Sequence, residues 1–324
     1  MKTFVIAEAG SNHNQNFEQA ISLIDVAKGA GASACKFQTY TSETLFSKFT
    51  PPYAGHKDIL QLFRDIQIPR EWHKDLKQYC DEVGIEFMST PFDERAVEEL
   101  VNVGVKRLKI AGFESTDFRF VDMVASTKLP IIISLGIGFK IEYINDLLDI
   151  FAKHGNEVSL LHCNNAYPTP MNEIDLTKIT ELKNNFSSHK IGLSDHTTST
   201  LTPALAVALG AEVIEKHFTL SRNLSGPDHS FAIEPNQLEQ MIYFIKETER
   251  ALVPQTQQIS NSEKFEQRGR RSVVAKKSIK VGEVFTEENI TTKRPFLDGN
   301  IPAIDFKKVL GNISEKNYEE DEFI

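Results

Sequence analysis

IGLSDHTTSTLTPALAVALGAEVIEKH, residues Ile191–His217, decides how this chain is read. Two short apolar runs, Ile191–Leu193 and Val213–Glu215, flank Thr202–Leu209, whose apolar residues recur at helical spacing. Runs this short and this continuous are how a parallel strand buried on both faces reads. Each run breaks to polar side chains at its C-terminal end. Ser194, Asp195, His196 and Thr197 follow the first, and Glu215 and His217 end the second.

The same alternation extends back to the first residues. Six more apolar runs occur at Phe4–Ala7, Ala34–Phe37, Ile85–Met88, Arg107–Ile110, Ile131–Ser134 and Val158–Leu161. Helical patterns lie between and after them at Phe17–Ala30, Arg70–Val83, Phe92–Val103, Arg119–Thr127, Ile141–His154, Asp175–Asn184 and Pro235–Leu252. Gly31 and Gly84 follow two of these and suit C-caps. Strand–helix alternation repeated eight times predicts a (β/α)8 TIM barrel, with a doubly wound open sheet as the alternative. The barrel is assigned to residues 1–253. Residues 254–271 are polar, carry no strand signal and read as a linker. Residues 272–324 hold short β-type runs, a KVGE turn and a Pro/Gly-rich loop, which predicts a compact second module.

Composition sets outer bounds. A length of 324 residues suits a barrel of about 250 residues with an appendage. No apolar run reaches the roughly 20 residues that span a bilayer, so no membrane segment is expected. The opening MKTFVIAEAG meets an acid at Glu8 and reads as a buried strand rather than a signal peptide. A net charge of −9 argues against nucleic acid as partner but allows an anionic small substrate in a locally basic pocket. Three cysteines without close pairs fit a reducing cytoplasm, and Cys35 and Cys163 read as small core residues.

In a barrel, the C-terminal strand ends build the site. These ends offer Glu8; Lys36 and Gln38; Thr90; Lys109, Gly112 and Glu114; Ser134; Asn165 and Tyr167; Ser194 and His196; Glu215 and His217. His162 and Asp195 read as residues that only close hydrogen bonds at the rim. Lys36 and Lys109 beside the hydroxyls of Thr90, Ser134 and Ser194 suit an anion with several oxygens, such as phosphate plus carboxylate. A salt bridge from one lysine to Glu8 or Glu114 is the plain structural alternative. His196 and His217, on adjacent strands, can share one divalent ion that keeps open positions, or be two satisfied polar histidines. Asp228, in SGPDHSF, can bind a polyol or cap a turn. His13 and Asn14 follow the first strand and read as shaping the same mouth.

At these residues the sequence resembles the sialic acid synthase family, the N-acetylneuraminate and related nonulosonate synthases. The matching segments are AEAGSNHN at Ala7–Asn14, KFQT at Lys36–Thr39, STPFD at Ser89–Asp93, KIAGFE at Lys109–Glu114, LLHCNNAYPTP at Leu160–Pro170, IGLSDHT at Ile191–Thr197, EKHFT at Glu215–Thr219 and GPDHS at Gly226–Ser230. RRSVVA and KRP resemble that family's antifreeze-like (SAF) module. The resemblance implies condensation of phosphoenolpyruvate with an open-chain N-acylated hexosamine, of the N-acetylmannosamine type, to a nine-carbon 2-keto acid and phosphate. It implies a Mn²⁺ or Mg²⁺ ion on His196 and His217, with Glu215 in the metal shell. It places Lys36, Thr90, Lys109, Ser134, Asn165 and Ser194 on phosphoenolpyruvate. It places Glu8, Gln38, Tyr167 and Asp228 on the sugar, with Glu8 or Glu114 handling the attacking water. Arg294, in KRP, would be given to a partner's site in a domain-swapped homodimer.

Three features depart from that pattern. Gly112 stands where the family has Ser, Phe296 stands where the loop after Arg-Pro begins with Gly, and the last module reads as short at its C-terminus. The alternatives are a synthase of legionaminic or pseudaminic type using a diacetamido sugar, a synthase making a seven- or eight-carbon keto acid, and a non-catalytic sugar-phosphate-binding barrel.

Overall fold

The computed structural model describes residues 2–52, 57–138 and 140–324. The chain divides into two units, Met1–Leu252 and Val253–Ile324. The first runs β1 (Phe4–Gly10), α1 (Phe17–Ala30), β2 (Ala34–Thr39), α2 (Ser42–Leu45), α3 (Ile59–Ile66), α4 (Trp72–Val83), β3 (Glu86–Pro91), α5 (Glu94–Asn102), β4 (Leu108–Ile110), α6 (Phe118–Ala125), β5 (Ile131–Leu135), α7 (Ile141–His154), β6 (Val158–Cys163), α8 (Thr177–Asn185), β7 (Lys190–Asp195), α9 (Thr202–Ala208), β8 (Val213–His217) and α10 (Pro235–Ala251).

Among the described residues the eight strands are ordered β3-β2-β1-β8-β7-β6-β5-β4. β1 bonds to both β2 and β8 in parallel, which brings the last strand round to the first. No ladder bonds among the described residues join β3 to β4. At that seam Arg107, just before β4, reaches Glu86 at the start of β3 with Nε–Oε1 2.7 Å. The sheet is thus the expected TIM-like barrel, nearly closed.

Alternation along the strands decides what faces where. Val5, Ala7, Cys35, Phe37, Phe87, Ile133, Leu160, Leu193 and Ile214 point outward and join the helices in the main core. Ile6, Ala34, Met88, Ile132, Leu161 and Val213 point inward and form a separate apolar plug. Two residues further along the same six strands stand Glu8, Lys36, Thr90, Ser134, Cys163 and Glu215. On each of these six strands the inward face therefore turns from apolar to polar in one step.

Local signals explain most boundaries. Gly31 takes φ 88° and its amide closes α1 on the Ala27 and Lys28 carbonyls. Gly84 ends α4 in the same left-handed conformation. The strands run further than the apolar runs predict, because their polar ends still pair in the ladder: Glu8 lies opposite Lys36 and His217, and Ser194 opposite Glu215. Helices α2 and α3 are not anticipated by the sequence reading. For α3 the signal is present in Asp58, whose side chain accepts the Gln61 amide and caps a helix that buries Ile59 and Ile66.

The second unit holds β9 (Ser272–Ala275), antiparallel to β10 (Ile290–Lys293), and α11 (Phe306–Val309). It has its own core of Val273, Ala275, Ile279, Phe285, Ile290 and Val309. Phe323 bridges to Val274, and the Ile324 amide donates to the Val273 carbonyl at 3.1 Å. No helix among the described residues is long and apolar enough to cross a membrane.

Candidate active site

The polar layer above the plug is a buried charge network. Lys36 Nζ lies 2.7 Å from Glu8 Oε2 and 3.7 Å from Glu215 Oε1, and donates to Thr90 Oγ1 at 2.9 Å. Lys109 Nζ donates to Ser134 Oγ at 2.8 Å and to the Ile110 carbonyl at 2.7 Å, and lies 4.0 Å from Glu215 Oε2. Ser194 Oγ donates to Glu215 Oε1 at 3.4 Å. Glu8, Lys36, Lys109 and Glu215 are each at most 5% exposed. Both lysines thus share one chamber, and both are matched by carboxylates. Glu215, expected in a metal shell, stands between the two ammonium groups.

Burial and neighbours set these charges apart. Burial raises Glu8 to about 7, with Glu215 adding repulsion against the pull of Lys36. Burial also opposes ionisation of Glu215, but Lys109 and Lys36 outweigh it and hold that carboxyl below its usual range. Burial lowers Lys109, whereas the two carboxylates overcome burial and raise Lys36.

One inward step above this layer come His196 and His217, with ring centroids 5.5 Å apart. Burial lowers His196 to about 4, and burial with surrounding cations holds His217 well below its ordinary value. Both rings are therefore neutral at pH 7. His196 Nδ1 donates to the Asn164 carbonyl at 2.6 Å, which fixes the tautomer and leaves Nε2 a lone pair. His217 Nδ1 is buried with no hydrogen-bond partner among the described residues, 3.7 Å from Asp228 Oδ2. Among the described residues no three His, Cys, Asp or Glu side chains gather as a metal cage. Two neutral imidazoles, one with an orphaned buried nitrogen, fit a divalent ion that keeps several open positions.

The side chains expected on a sugar meet beside these rings. Gln38 Nε2 donates to Glu8 Oε1 at 3.0 Å. A Cβ at Gly10 would lie 3.0 Å from Asp228 Oδ2, 3.5 Å from Glu8 Oε1 and 3.6 Å from Gln38 Nε2. Gly10, at φ +54°, is thus the point where the three converge. Tyr167 lays its ring over His196, with centroids 4.1 Å apart. Asn165 is wedged between two glycines. A Cβ at Gly136 would fall 2.0 Å from Asn165 Oδ1, and one at Gly112 would fall 2.9 Å from Asn165 Nδ2. The departure at position 112 therefore makes room for the Asn165 amide.

Other expectations resolve differently. Glu114 opens a 3-10 turn after β4, with Oε2 buried and unpartnered among the described residues. It lines a cavity of about 760 Å³ with Phe92, Phe113, Phe120 and Arg119. His162 bonds the Ile174 carbonyl and Asp195 pairs with Lys216, as rim-closing residues do. His13 does not shape the mouth. It packs behind β2 against Phe37 and Trp72, because the chain turns outward after β1. Asn14 bonds His229. Arg294 belongs to the second unit and is exposed just beyond β10, and Phe296 there packs under the Arg270 guanidinium at 4.7 Å. Sequence reading put Cys163 in the core. It is buried as expected, and its thiol faces the chamber, 3.7 Å from Asn165 Oδ1, with burial pushing it up to about 11. The signal was its spacing, two residues past the inward Leu161.

The assembled chamber can hold a multiply charged anion, polarise a carbonyl and move a proton through a carboxyl poised near neutrality. Comparisons with known proteins identify relatives over the whole chain. The chain is 39% identical to the N,N'-diacetyllegionaminic acid synthase of Campylobacter jejuni, over 100% of this chain and 99% of that one. It is 31% identical to the human N-acetylneuraminate-9-phosphate synthase, over 99% of this chain and 92% of that one. A sialic acid synthetase structure from Leptospira borgpetersenii, in complex with citrate, superposes with a TM-score of 0.75 at 32% identity, covering 82% of this chain and 90% of that one. The NeuB family profile matches residues 23–257 and the SAF domain profile matches residues 270–324. The chain belongs to the NeuB family, the nonulosonate synthases, and carries a SAF domain.

Proposed function

We propose that the chain condenses phosphoenolpyruvate with the open-chain aldehyde of an N-acylated amino sugar, of the N-acetylmannosamine type, giving a nine-carbon 2-keto sugar acid and phosphate. The observation that carries this reading is the layering: two lysines matched by Glu8 and Glu215, directly below two neutral histidines. A divalent ion, Mn²⁺ or Mg²⁺, held by His196 and His217 would polarise the aldehyde oxygen. Lys36, Thr90, Lys109, Ser134, Asn165 and Ser194 hold the phosphate and carboxylate oxygens. Gln38, Tyr167 and Asp228 face the sugar with Glu8.

C3 of the enol bonds to the aldehyde carbon, and positive charge develops at C2. Water adds there and the C2–O bond to phosphate breaks. Water gives up two protons as its oxygen becomes the keto oxygen. One ends on the new hydroxyl and one on phosphate. Glu8 suits that transfer better than Glu114, because it lies in the lysine layer and is pushed up to about 7. Anion binding to Lys36 also draws that ammonium away from Glu8 and frees the carboxyl to act. A homodimer and a cytoplasmic location belong to the same reading.

A second reading differs only in the sugar. A diacetamido sugar draws support from the Campylobacter relative at 39% identity. Phosphate release from phosphoenolpyruvate, with Mn²⁺ and each amino sugar in turn, tests both. Release is expected with one of the sugars and is expected to stop when the metal is chelated. No release with any of them would end the synthase reading.

A further inference from the structure

Lys216 and Asp195 have no role in that scheme, yet both are buried charges, 1% and 0% exposed. They lie opposite each other on the outer faces of β8 and β7. Lys216 Nζ sits 2.8 Å from Asp195 Oδ2 and 3.2 Å from Thr197 Oγ1, and it also donates to the Thr197 carbonyl. Asp195 Oδ1 accepts the Thr197 amide at 2.9 Å. Thr197 Oγ1 lies 3.2 Å from Thr202 Oγ1, at the first turn of α9.

One ammonium therefore grips the residues on both sides of His196. Lys216 itself stands between Glu215 and His217. On the inner face, the His196 ring is held by the Asn164 carbonyl, and its own carbonyl accepts the Thr169 amide at 2.9 Å. The outer clamp fixes the backbone, and the inner bond fixes the ring. Apolar side chains would fill the outer space with less desolvation cost, so packing alone does not call for an ion pair there.

We propose that Lys216 and Asp195 are positioning residues: by clamping the ends of β7 and β8 from behind, they set the spacing and orientation of the His196 and His217 imidazoles. The effect on metal affinity rests on reading those histidines as metal ligands. The effect on the rings themselves does not.

Three measurements on the full chain test this. They are the Mn²⁺ dissociation constant, the ring ¹H–¹⁵N signals of His196 and His217 in metal-free protein, and phosphoenolpyruvate affinity without metal. In Lys216→Met, Mn²⁺ binding is expected to weaken about 10–100-fold, the range for loss of a group that orients a ligand. The ring signals shift, and phosphoenolpyruvate affinity is unchanged. A folded Lys216→Met with wild-type Mn²⁺ affinity and wild-type ring signals overturns the proposal. If that variant does not fold, Lys216→Met combined with Asp195→Leu leaves no lone buried charge and is judged by the same outcomes. If the wild-type chain does not bind Mn²⁺, the metal reading fails. The ring signals of the metal-free variant then decide the clamp: shifted signals support it and unshifted signals overturn it.

Discussion

Glu8 touches more of the proposed chemistry than any other side chain. It pairs with Lys36, accepts from Gln38, feels Glu215 and meets Asp228 across Gly10. If it accepts the water proton, it must start ionised. kcat/KM is then expected to rise with pH through about 7, where burial has placed this group. Glu8→Gln should erase that limb and lower turnover about 10²–10⁴-fold, the scale of a lost general acid–base group. A pH–rate profile on both proteins checks it, and an unchanged limb in the variant would move the role elsewhere. The linkage sign runs opposite to the activity. Between 4.5 and about 7 the folded chain keeps a proton on Glu8 that the unfolded chain has released, so this group's contribution to stability falls as pH rises through that window.

At the scale of the element, the end of β1 does more than carry Glu8. Gly10 sits at φ +54° with three polar side chains around the place of a Cβ. Gly10→Ala should cost roughly 1–3 kcal/mol of stability. By pushing Asp228, it should also raise KM for the amino sugar while leaving KM for phosphoenolpyruvate alone. Denaturant unfolding and steady-state kinetics read the two effects, and an unchanged sugar KM would remove Asp228 from the sugar's contacts. How much of this was legible depends on what each signal encodes. Eight apolar runs gave the barrel, because a strand buried on both faces has few other ways to read. The polar residues at the C-terminal strand ends gave Glu8, Lys36, Thr90, Ser134 and Glu215. Cys163 occupies the same place on β6, but a cysteine reads equally well as a small core residue. The pairing of lysines with carboxylates was open in the sequence, since it depends on which side chains meet across the barrel. The clamp was hidden too, because Lys216 and Asp195 lie outward, where the period predicts core. Short α2 lacked length to announce itself, and α3 had only its cap and a few spaced apolar residues.

For the whole molecule, each of the two units holds hydrophobic clusters of its own and is expected to unfold as its own cooperative body. A fragment ending at Leu252 should therefore fold and melt in one transition, followed by circular dichroism. A broad, non-cooperative melt would show that the barrel's core is incomplete without the rest. The formal charge of −9 belongs to the whole chain, whereas the lysine layer sets Lys36 and Lys109 against Glu8 and Glu215. The plug of Ile6, Ala34, Met88, Ile132, Leu161 and Val213 stoppers the barrel just below that chamber. In the proposed reaction, substrates would then come and go by the end of the barrel that carries the histidines. If the proposed anion binds at Lys36 and Lys109, it lies deeper than a sugar beside His196 and His217, so the anion is expected to enter ahead of the sugar and to leave after it.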